Sequence, residues 1–544
     1  MPSPEAKARS WRARRRLIGL CVAVVAVLAV ACEPVKPPPE EPPPPPPPGW
    51  IATSPAIFPA FTTDIPDYVA RCNASAPVQV SVDAPADTTV SVNGLPFQGG
   101  QFATEVTRDV GQSFWIVVQA PSGTTTHEVR CLPADFPDWT ASRTGQTQAE
   151  YYATTTPWSV PAFQSRPVVF DNNGVPVWWS DTTSTYFTTV LQDPNDNNNP
   201  KVTWTFQNGA GAQEHNLDGS VYHTVNTTPN GSDPHDILAL PNGNYVMVEN
   251  VSVPAQNLTA CGGTASQTLI DQVIQEITPQ GAVVSMWDTK THIPVSETDP
   301  QWYSNNCSQG DAYHWNSIEP TSDGYILSFR HLDAIYKINK TTGAVEWKLG
   351  GSSHVEALDE KRLTVQQDPV FDGPDPATNH FGGQHDARLL GDGTVALHDN
   401  GTNLNRPPRA VRYQIDTTNK TATLLESHDD ALMPASNCCG SARKLPGGNW
   451  VMGWGGTQGS ARVGTEMTDS GSRVFLLQFS TSGGMYRFTP VPFGVLSRDA
   501  LRAGMDTQYG TPPVGTTSSG ASRGTAKAPA PSPPASTPQQ IDQP

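Results

Sequence analysis

The chain has 544 residues, with 34 Lys and Arg against 51 Asp and Glu, a net charge of −17. That balance excludes a nucleic-acid binder, which needs a basic face to neutralise phosphates, but leaves a local anion site open. Only 16% of residues are charged, Gly (45) and Pro (53) are abundant, and no long stretch repeats apolar residues at helical spacing, which predicts a turn-rich, all-β protein of more than one domain.

Residues 1–32 read as a targeting segment. "RSWRARRR" is basic, and Leu17 to Ala31 is an apolar run of 15 residues, short for a membrane span. "AVLAVAC" then places small residues before Cys32, as at a bacterial lipoprotein cleavage site, although Ala29 stands where Leu is commoner. Ordinary signal cleavage after "AVA" is the alternative. Residues 33–49, "EPVKPPPEEPPPPPPPG", form a polyproline tether that would extend at about 3 Å per residue. An exported chain, anchored to a membrane only through a lipid on Cys32, in the periplasm or on the cell surface, is expected.

Residues 50–138 contain short alternating runs such as "VQVSVDAP" and "SFWIVVQAP" between turn residues, the pattern of a small β-sandwich. Once Cys21 and Cys32 are set aside, six cysteines remain. An even number in an exported chain reads as disulfides. Local pairs Cys72–Cys131 and Cys261–Cys307 are expected, and Cys438 and Cys439 could form a vicinal bridge.

Residues 139–505 repeat. "HDILALPNGNYVMVEN" from His235, "HWNSIEPTSDGYILSFR" from His314, "HDARLLGDGTVALHDN" from His385 and "GSARKLPGGNWVMGWG" from Gly440 align almost without gaps. Each is a hairpin, and each is followed by a second one: "DQVIQEITPQGAVVSMWD", "DAIYKINKTTGAVEWKLGG", "RAVRYQIDTTNKTATLLES" and "RVFLLQFSTSGGMYRF". Four strands per repeat make a propeller blade. With two weaker copies upstream ("RPVVFDNNGVPVWWSD" and "KVTWTFQN"), the length suits a six-bladed β-propeller. Residues 506–544, rich in Pro, Ser and Thr, are expected to be a disordered tail.

In that register His235, His314 and His385 lead three successive blades and converge on one channel mouth, with Gly440 taking the fourth place. Asn316 shares the face of His314, because strand side chains alternate, and Arg330 closes the same hairpin. Three histidines alone suit zinc or copper. An arginine among them repels a metal and clamps a tetrahedral oxyanion, so a sulfate or phosphate ester is expected and a metal is not. Trp302, Tyr313, Trp315 and Trp454 are candidates to stack on an aryl group, or simply pack the blades.

"HDILALPNGNYVMVE", "HWNSIEP", "LSFRHLDAIYKIN", "WKLGG" and "QHDARLLGDGTVALHDNGTN" together resemble the bacterial arylsulfate sulfotransferase family. These are exported six-bladed propellers with an N-terminal β-sandwich, which move a sulfuryl group from one phenolic ester to another phenol without a nucleotide donor. The resemblance implies a ping-pong mechanism in which His385 is transiently sulfated. His235, His314 and Arg330 would bind and neutralise the sulfate oxygens, with Asn316 in the matching pair. It implies small-molecule donor and acceptor partners and no cofactor; association as a homodimer is left open. The loops 251–266 and 352–380 depart from the family and are expected to roof the channel. The alternatives are a non-catalytic propeller that binds ligands or partners, and a propeller oxidoreductase with a quinone or metal cofactor. A sulfatase, with water as acceptor, is a nearer variant.

Overall fold

A computed structural model describes residues 49–73, 75–158, 165–351, 355–373, 378–456, 462–480 and 484–512, all within one unit of the chain, Pro48–Pro544. The signal segment, nearly all of the tether and most of the Pro-rich tail lie outside the described residues.

Residues 51–131 supply two sheets. One has three strands, Ile51–Ser54, Val78–Asp83 and Gln101–Val106; the other has six, with Ser113–Ala120 and Gly123–Cys131 near its middle. Val78–Asp83 reads VQVSVD, and its three valines are buried while the polar residues between them are exposed. Strand alternation therefore gives the sheet one dry face, and each valine contributes about 1.5–3 kcal/mol by leaving water. That face joins a core of its own with Val90, Val92, Phe114, Ile116 and Val129. Cys72 and Cys131 are joined across it, as expected from their spacing.

Six further sheets follow, each of four or five strands. Strands inside these sheets can be buried along their whole length rather than alternating: all six residues of Gly324–Phe329 (GYILSF) are buried, as befits strands covered on both faces. The repeats from His235 and His314 fold as single four-stranded antiparallel sheets. The repeat from His385 does the same and gains Thr364–Gln366 as a parallel edge strand. The 352–380 segment is therefore partly sheet. The 251–266 segment is also shorter as a loop than its sequence suggests, because Tyr245–Gln256 and Gln267–Ile277 pair along most of their length, with Cys261 joined to Cys307 beyond the hairpin.

The fourth repeat departs from the expected hairpins. Arg462–Met467 takes its third position, and Arg473–Phe479 its fourth, flanked outside by Trp139–Arg143. The end of "RVFLLQFSTSGGMYRF" instead leads into Phe488–Pro492, which pairs with Ala149–Thr155 in the first sheet. Chain start and chain end thus exchange strands between two sheets. The leading strands touch one another: Phe488–Pro492 meets Thr185–Asp193, which meets Leu238–Ala239, while Trp315–Pro320 meets His385–Leu389, which meets Ser441–Lys444, which meets Phe488–Pro492.

The helix Arg498–Tyr509, capped by the Ser497 hydroxyl, runs past residue 505, so the predicted domain boundary falls inside an ordered element. Its Arg502 pairs with Asp67 at 2.7 Å and its Asp506 with Arg130 at 3.0 Å, tying the helix to the N-terminal sheets. No helix among the described residues is long and apolar enough to cross a membrane.

One buried acid predicts a pH-dependent stability. Glu214, fully buried, accepts from the Tyr245 hydroxyl at 2.5 Å. Burial pushes its carboxyl up to about 7, with Asp193 adding to the rise and the Tyr245 bond opposing it. The folded state therefore holds a proton that the unfolded state releases near 4.5, and stability falls as pH rises through that window. Glu214→Gln, which keeps an acceptor for Tyr245, should remove this slope and stabilise the protein above pH 7 by up to about 3 kcal/mol. Urea midpoints from pH 4.5 to 8 measure it; parallel pH curves for the two proteins would refute it.

Candidate active site

The leading strands bring their first residues together. His385 opens His385–Leu389, His314 directly precedes Trp315–Pro320, and His235 stands just before Leu238–Ala239. The His235 and His314 rings meet edge to face at 5.2 Å. Tyr486 is near both His385 and His235, its ring centroid 6.2 Å from His385 and 5.3 Å from His235. Tyr486 and Arg487 immediately precede Phe488–Pro492 and so hold in the first sheet the place that histidine holds elsewhere. Tyr186, in the second sheet, donates or accepts at His235 Nε2 across 3.2 Å. Sequence repeats pointed to neither tyrosine.

The three imidazoles have different partners. Asp233 Oδ1 lies 2.5 Å from His235 Nδ1, and Asp311 Oδ2 lies 2.6 Å from His314 Nδ1. A carboxylate behind the ring fixes its orientation and stabilises positive charge on it. His385 has neutral partners instead. Its Nδ1 lies 2.8 Å from both the Gly383 carbonyl and Asn400 Oδ1, and the Cys439 backbone N–H donates to Nε2 at 3.2 Å. Carbonyl oxygens only accept and an amide N–H only donates, so the proton sits on Nδ1 and the lone pair on Nε2. The Asn400 amide is oriented in turn, because its Nδ2 donates to Ser436 Oγ at 2.8 Å and to the Cys439 carbonyl at 2.9 Å.

Arg330 follows Gly324–Phe329 in a short 3-10 turn. Its Nη1 donates to His331 Nε2 and its Nη2 to the Asn437 carbonyl, each at 2.9 Å. Its guanidinium lies 4.3 Å above the Trp302 ring, which also stacks on His331 at 5.0 Å. His331 is fully buried, and that burial pushes its imidazole down to about 3, against the raising effect of Asp311. It is therefore a neutral acceptor near pH 7 and leaves the arginine's charge in place. Asp311, His314 and His331 hold ligand-type atoms within 4.8 Å of one another, but His331 Nε2 is spent on Arg330 and Asp311 Oδ2 on His314.

Asn316 donates its Nδ2 to the Gln384 carbonyl at 2.7 Å, bracing the residue before His385. Of the aromatic candidates only Trp302 touches Arg330. Tyr313 and Trp454 spend their polar atoms on the Ile293 carbonyl and on Thr465, and Trp315 lies 6.4 Å from His235 with all of its surface buried.

Behind the histidines lies a buried charge cluster. Asp236 and Asp386, each next to a histidine in sequence, bind Arg388, Arg443 and Arg487 between them. Asp386 accepts from Arg443 Nε at 2.6 Å and Arg388 Nε at 2.9 Å, and Asp236 from Arg388 at 2.6 Å and Arg487 at 2.9 Å.

A family model described as Arylsulfotransferase (ASST) matches residues 140–482, more than half of the chain. The chain belongs to the arylsulfotransferase family. Membership supports a sulfotransferase-type enzyme with a small-molecule donor and acceptor. No curated protein matches the chain. Among solved structures it is similar to TolB from Acinetobacter baumannii, at 12% identity over 71% of this chain and 81% of that one, with a TM-score of 0.31. Putative 6-phosphogluconolactonases from Bacteroides fragilis (11% identity, 64% and 99% covered, TM-score 0.31) and Bacteroides uniformis (9%, 74% and 100%, TM-score 0.32) are similar to the same degree. Those likenesses are too weak to bear on activity.

Proposed function

We propose that this arylsulfotransferase-family member is an aryl-sulfate sulfotransferase that works by a ping-pong mechanism through a sulfo-His385 intermediate. The six sheets from residue 139 onward act as blades of one propeller, with the site at the mouth where their leading strands meet. The observation that carries the reading is the tautomer of His385. Two carbonyl acceptors hold the proton on Nδ1 and leave the lone pair on Nε2, where in the resting site it accepts only from the Cys439 N–H among the contacts described. A neutral imidazole so oriented is a nucleophile near neutral pH.

In the first step Nε2 attacks sulfur and the bond to the phenolic oxygen breaks. Sulfuryl transfer, like phosphoryl transfer, has little bonding in its transition state and spreads negative charge over the peripheral oxygens. Arg330, a cation that donates to the neutral His331, is suited to stabilise it. His314 and His235, each backed by an aspartate, are suited to protonate the leaving phenolate and later to take the acceptor phenol's proton. Asn316 completes the set by holding Gln384, and with it His385. The overall charge of −17 makes the cationic patch local to the site. Export, lipid anchoring at Cys32 and homodimer formation belong to the same reading.

Mass spectrometry after donor is added without phenol tests the proposal: an adduct of about 80 Da, one SO₃, is expected on the peptide containing His385. Its absence, with turnover of 4-nitrophenyl sulfate also absent, would overturn the enzyme reading. A second expectation separates the histidines. His314→Asn should cost about a hundredfold with phenyl sulfate, whose leaving group needs a proton, and far less with 4-nitrophenyl sulfate. Equal losses with both donors would remove His314 from the acid's role.

A further inference from the structure

The loop Ser436–Gly440 is pinned from several sides and aimed at the reacting atoms. Ser436 Oγ donates to the Trp454 carbonyl at 2.9 Å. The Asn437 N–H donates to Gly456 O, the Gly456 N–H to Cys438 O and the Gly440 N–H to Tyr486 O, each at 2.8 Å. Cys438 and Cys439 are joined to each other. Gly455 and Gly456 allow the close approach, since a Cβ on Gly455 would stand 2.2 Å from the Cys438 carbonyl oxygen. Cys439 has φ +64°, a conformation that non-glycine residues seldom adopt without a tertiary reason. Held this way, the loop turns the Asn437 carbonyl to Arg330 and the Cys439 N–H to His385 Nε2. His385 has no exposed surface, against 5–7% for His235, His314 and Arg330.

We infer that the Cys439 backbone N–H is a hydrogen-bond donor to the sulfuryl group during transfer, and that Asn400 is the positioning residue that holds this donor and the His385 ring in register. The inference rests on the sulfo-His385 reading. In the resting site the N–H occupies the Nε2 lone pair. When that pair forms the N–S bond, the S–O bond to the aryl oxygen breaks and its electrons leave with the phenolate, which takes a proton from the acid histidine. The Nδ1 proton stays on the ring, so the adduct is a zwitterion, an imidazolium ring bearing –SO₃⁻, and its N–H still donates to the Gly383 and Asn400 oxygens. The Cys439 N–H has then lost its acceptor, and a sulfuryl oxygen is the group that replaces it. When the acceptor phenol takes the sulfuryl group, the lone pair returns and the resting bond re-forms. One side-chain amide controls both partners: Asn400 Oδ1 accepts from the ring while its Nδ2 donates to the carbonyl of Cys439 itself. A donor fixed in advance needs no reorganisation as charge develops, and losing one such donor typically costs about 10²–10³ in rate.

Rapid-mixing kinetics with 4-nitrophenyl sulfate test the inference, in the wild type, Asn400→Leu and Asn400→Asp. Wild type should release a burst of 4-nitrophenolate, with slow turnover until phenol is added. Both variants should slow the burst rate about a hundredfold, with the donor KM within about threefold of wild type. Asn400→Asp keeps an acceptor for Nδ1–H but sets a carboxylate against the Cys439 carbonyl and behind the imidazole, so the acid limb of its burst rate should also move to higher pH. A purely structural role would instead lower the burst amplitude at unchanged rate. Unchanged burst rates in a wild-type-like pH profile would overturn the inference and leave the sulfo-His385 reading standing. No burst and no adduct in the wild type would overturn that reading itself. If Asn400→Leu does not fold, the isosteric Asn400→Asp decides alone.

Discussion

His385→Asn should lower turnover of 4-nitrophenyl sulfate with phenol by at least about a thousandfold, because it removes the only proposed covalent nucleophile and leaves donor binding in place. The folded state should survive the change. His385 spends its ring on two carbonyl acceptors and one N–H donor, and an asparagine amide can donate and accept in the same space. The thermal midpoint is expected within a few degrees of wild type, and the adduct of about 80 Da should vanish from the peptide. A variant that keeps a tenth of its turnover would show that the sulfuryl group passes directly from donor to acceptor. His314→Asn gives the contrast. It should still form the adduct with 4-nitrophenyl sulfate, since His314 assists the leaving group by proton transfer and forms no bond to sulfur. Chemistry rather than fold would then account for the difference between two histidines in the same register.

The repeats carry the positions of the candidate site residues. His235, His314, His385 and Arg330 follow from the period of the chain, because each leads or closes a hairpin of the same pattern, and their sheets fold as that pattern requires. The pairs Cys72–Cys131 and Cys261–Cys307 followed from local spacing. What was missed has a topological cause. Tyr486 and Arg487 lead the first sheet, but they come from the end of the chain, so the alignment of repeats runs out of phase before reaching them. The same exchange misassigned the last hairpin, where Arg462–Met467 lies inside Arg473–Phe479. Tyr186 sits in a copy whose histidines, His215 and His223, lie on later strands and not at the leading one. The different partners of the imidazoles were present in the sequence and went unread. Asp233 stands two residues before His235 and Asp311 three before His314, whereas Gly382, Gly383 and Gln384 precede His385. Under the proposed mechanism, an acid before the ring would mark the proton-transfer histidines, and its absence the nucleophile. Asn400 and Cys439 could not be linked to His385 by any period, since they come from the end of one hairpin and the approach to another sheet's first strand.

The largest stability effect is expected from Asp386→Asn, which should destabilise the fold by about 3–5 kcal/mol. Asp386 has no exposed surface. It accepts from Arg443 at 2.6 and 2.7 Å and from Arg388 at 2.8 and 2.9 Å, and lies 3.4 Å from Arg487 Nε. Burial alone would push its carboxyl up, but Arg443, Arg388 and Arg487 outweigh that and hold it well below the usual carboxylate range. The substitution leaves three guanidinium groups sharing Asp236 and the half-buried Glu319, and turns an amide N–H toward donors that need an acceptor. Removing one member of a buried ionic cluster is costly for this reason, even where the intact cluster adds little net stability. The sign of the pH dependence follows from the depressed carboxyl. Its contribution is fully present above the unfolded value of 3.8 and is lost as pH falls toward the folded value. The gap between wild type and Asp386→Asn in urea midpoints should therefore be constant from pH 5 to 8 and narrow below about pH 4. A gap that widened in acid would mean that the cluster is not held together by the charge of Asp386. Activity should fall with stability here, because Asp386 adjoins His385 and the arginines it binds anchor three of the leading strands.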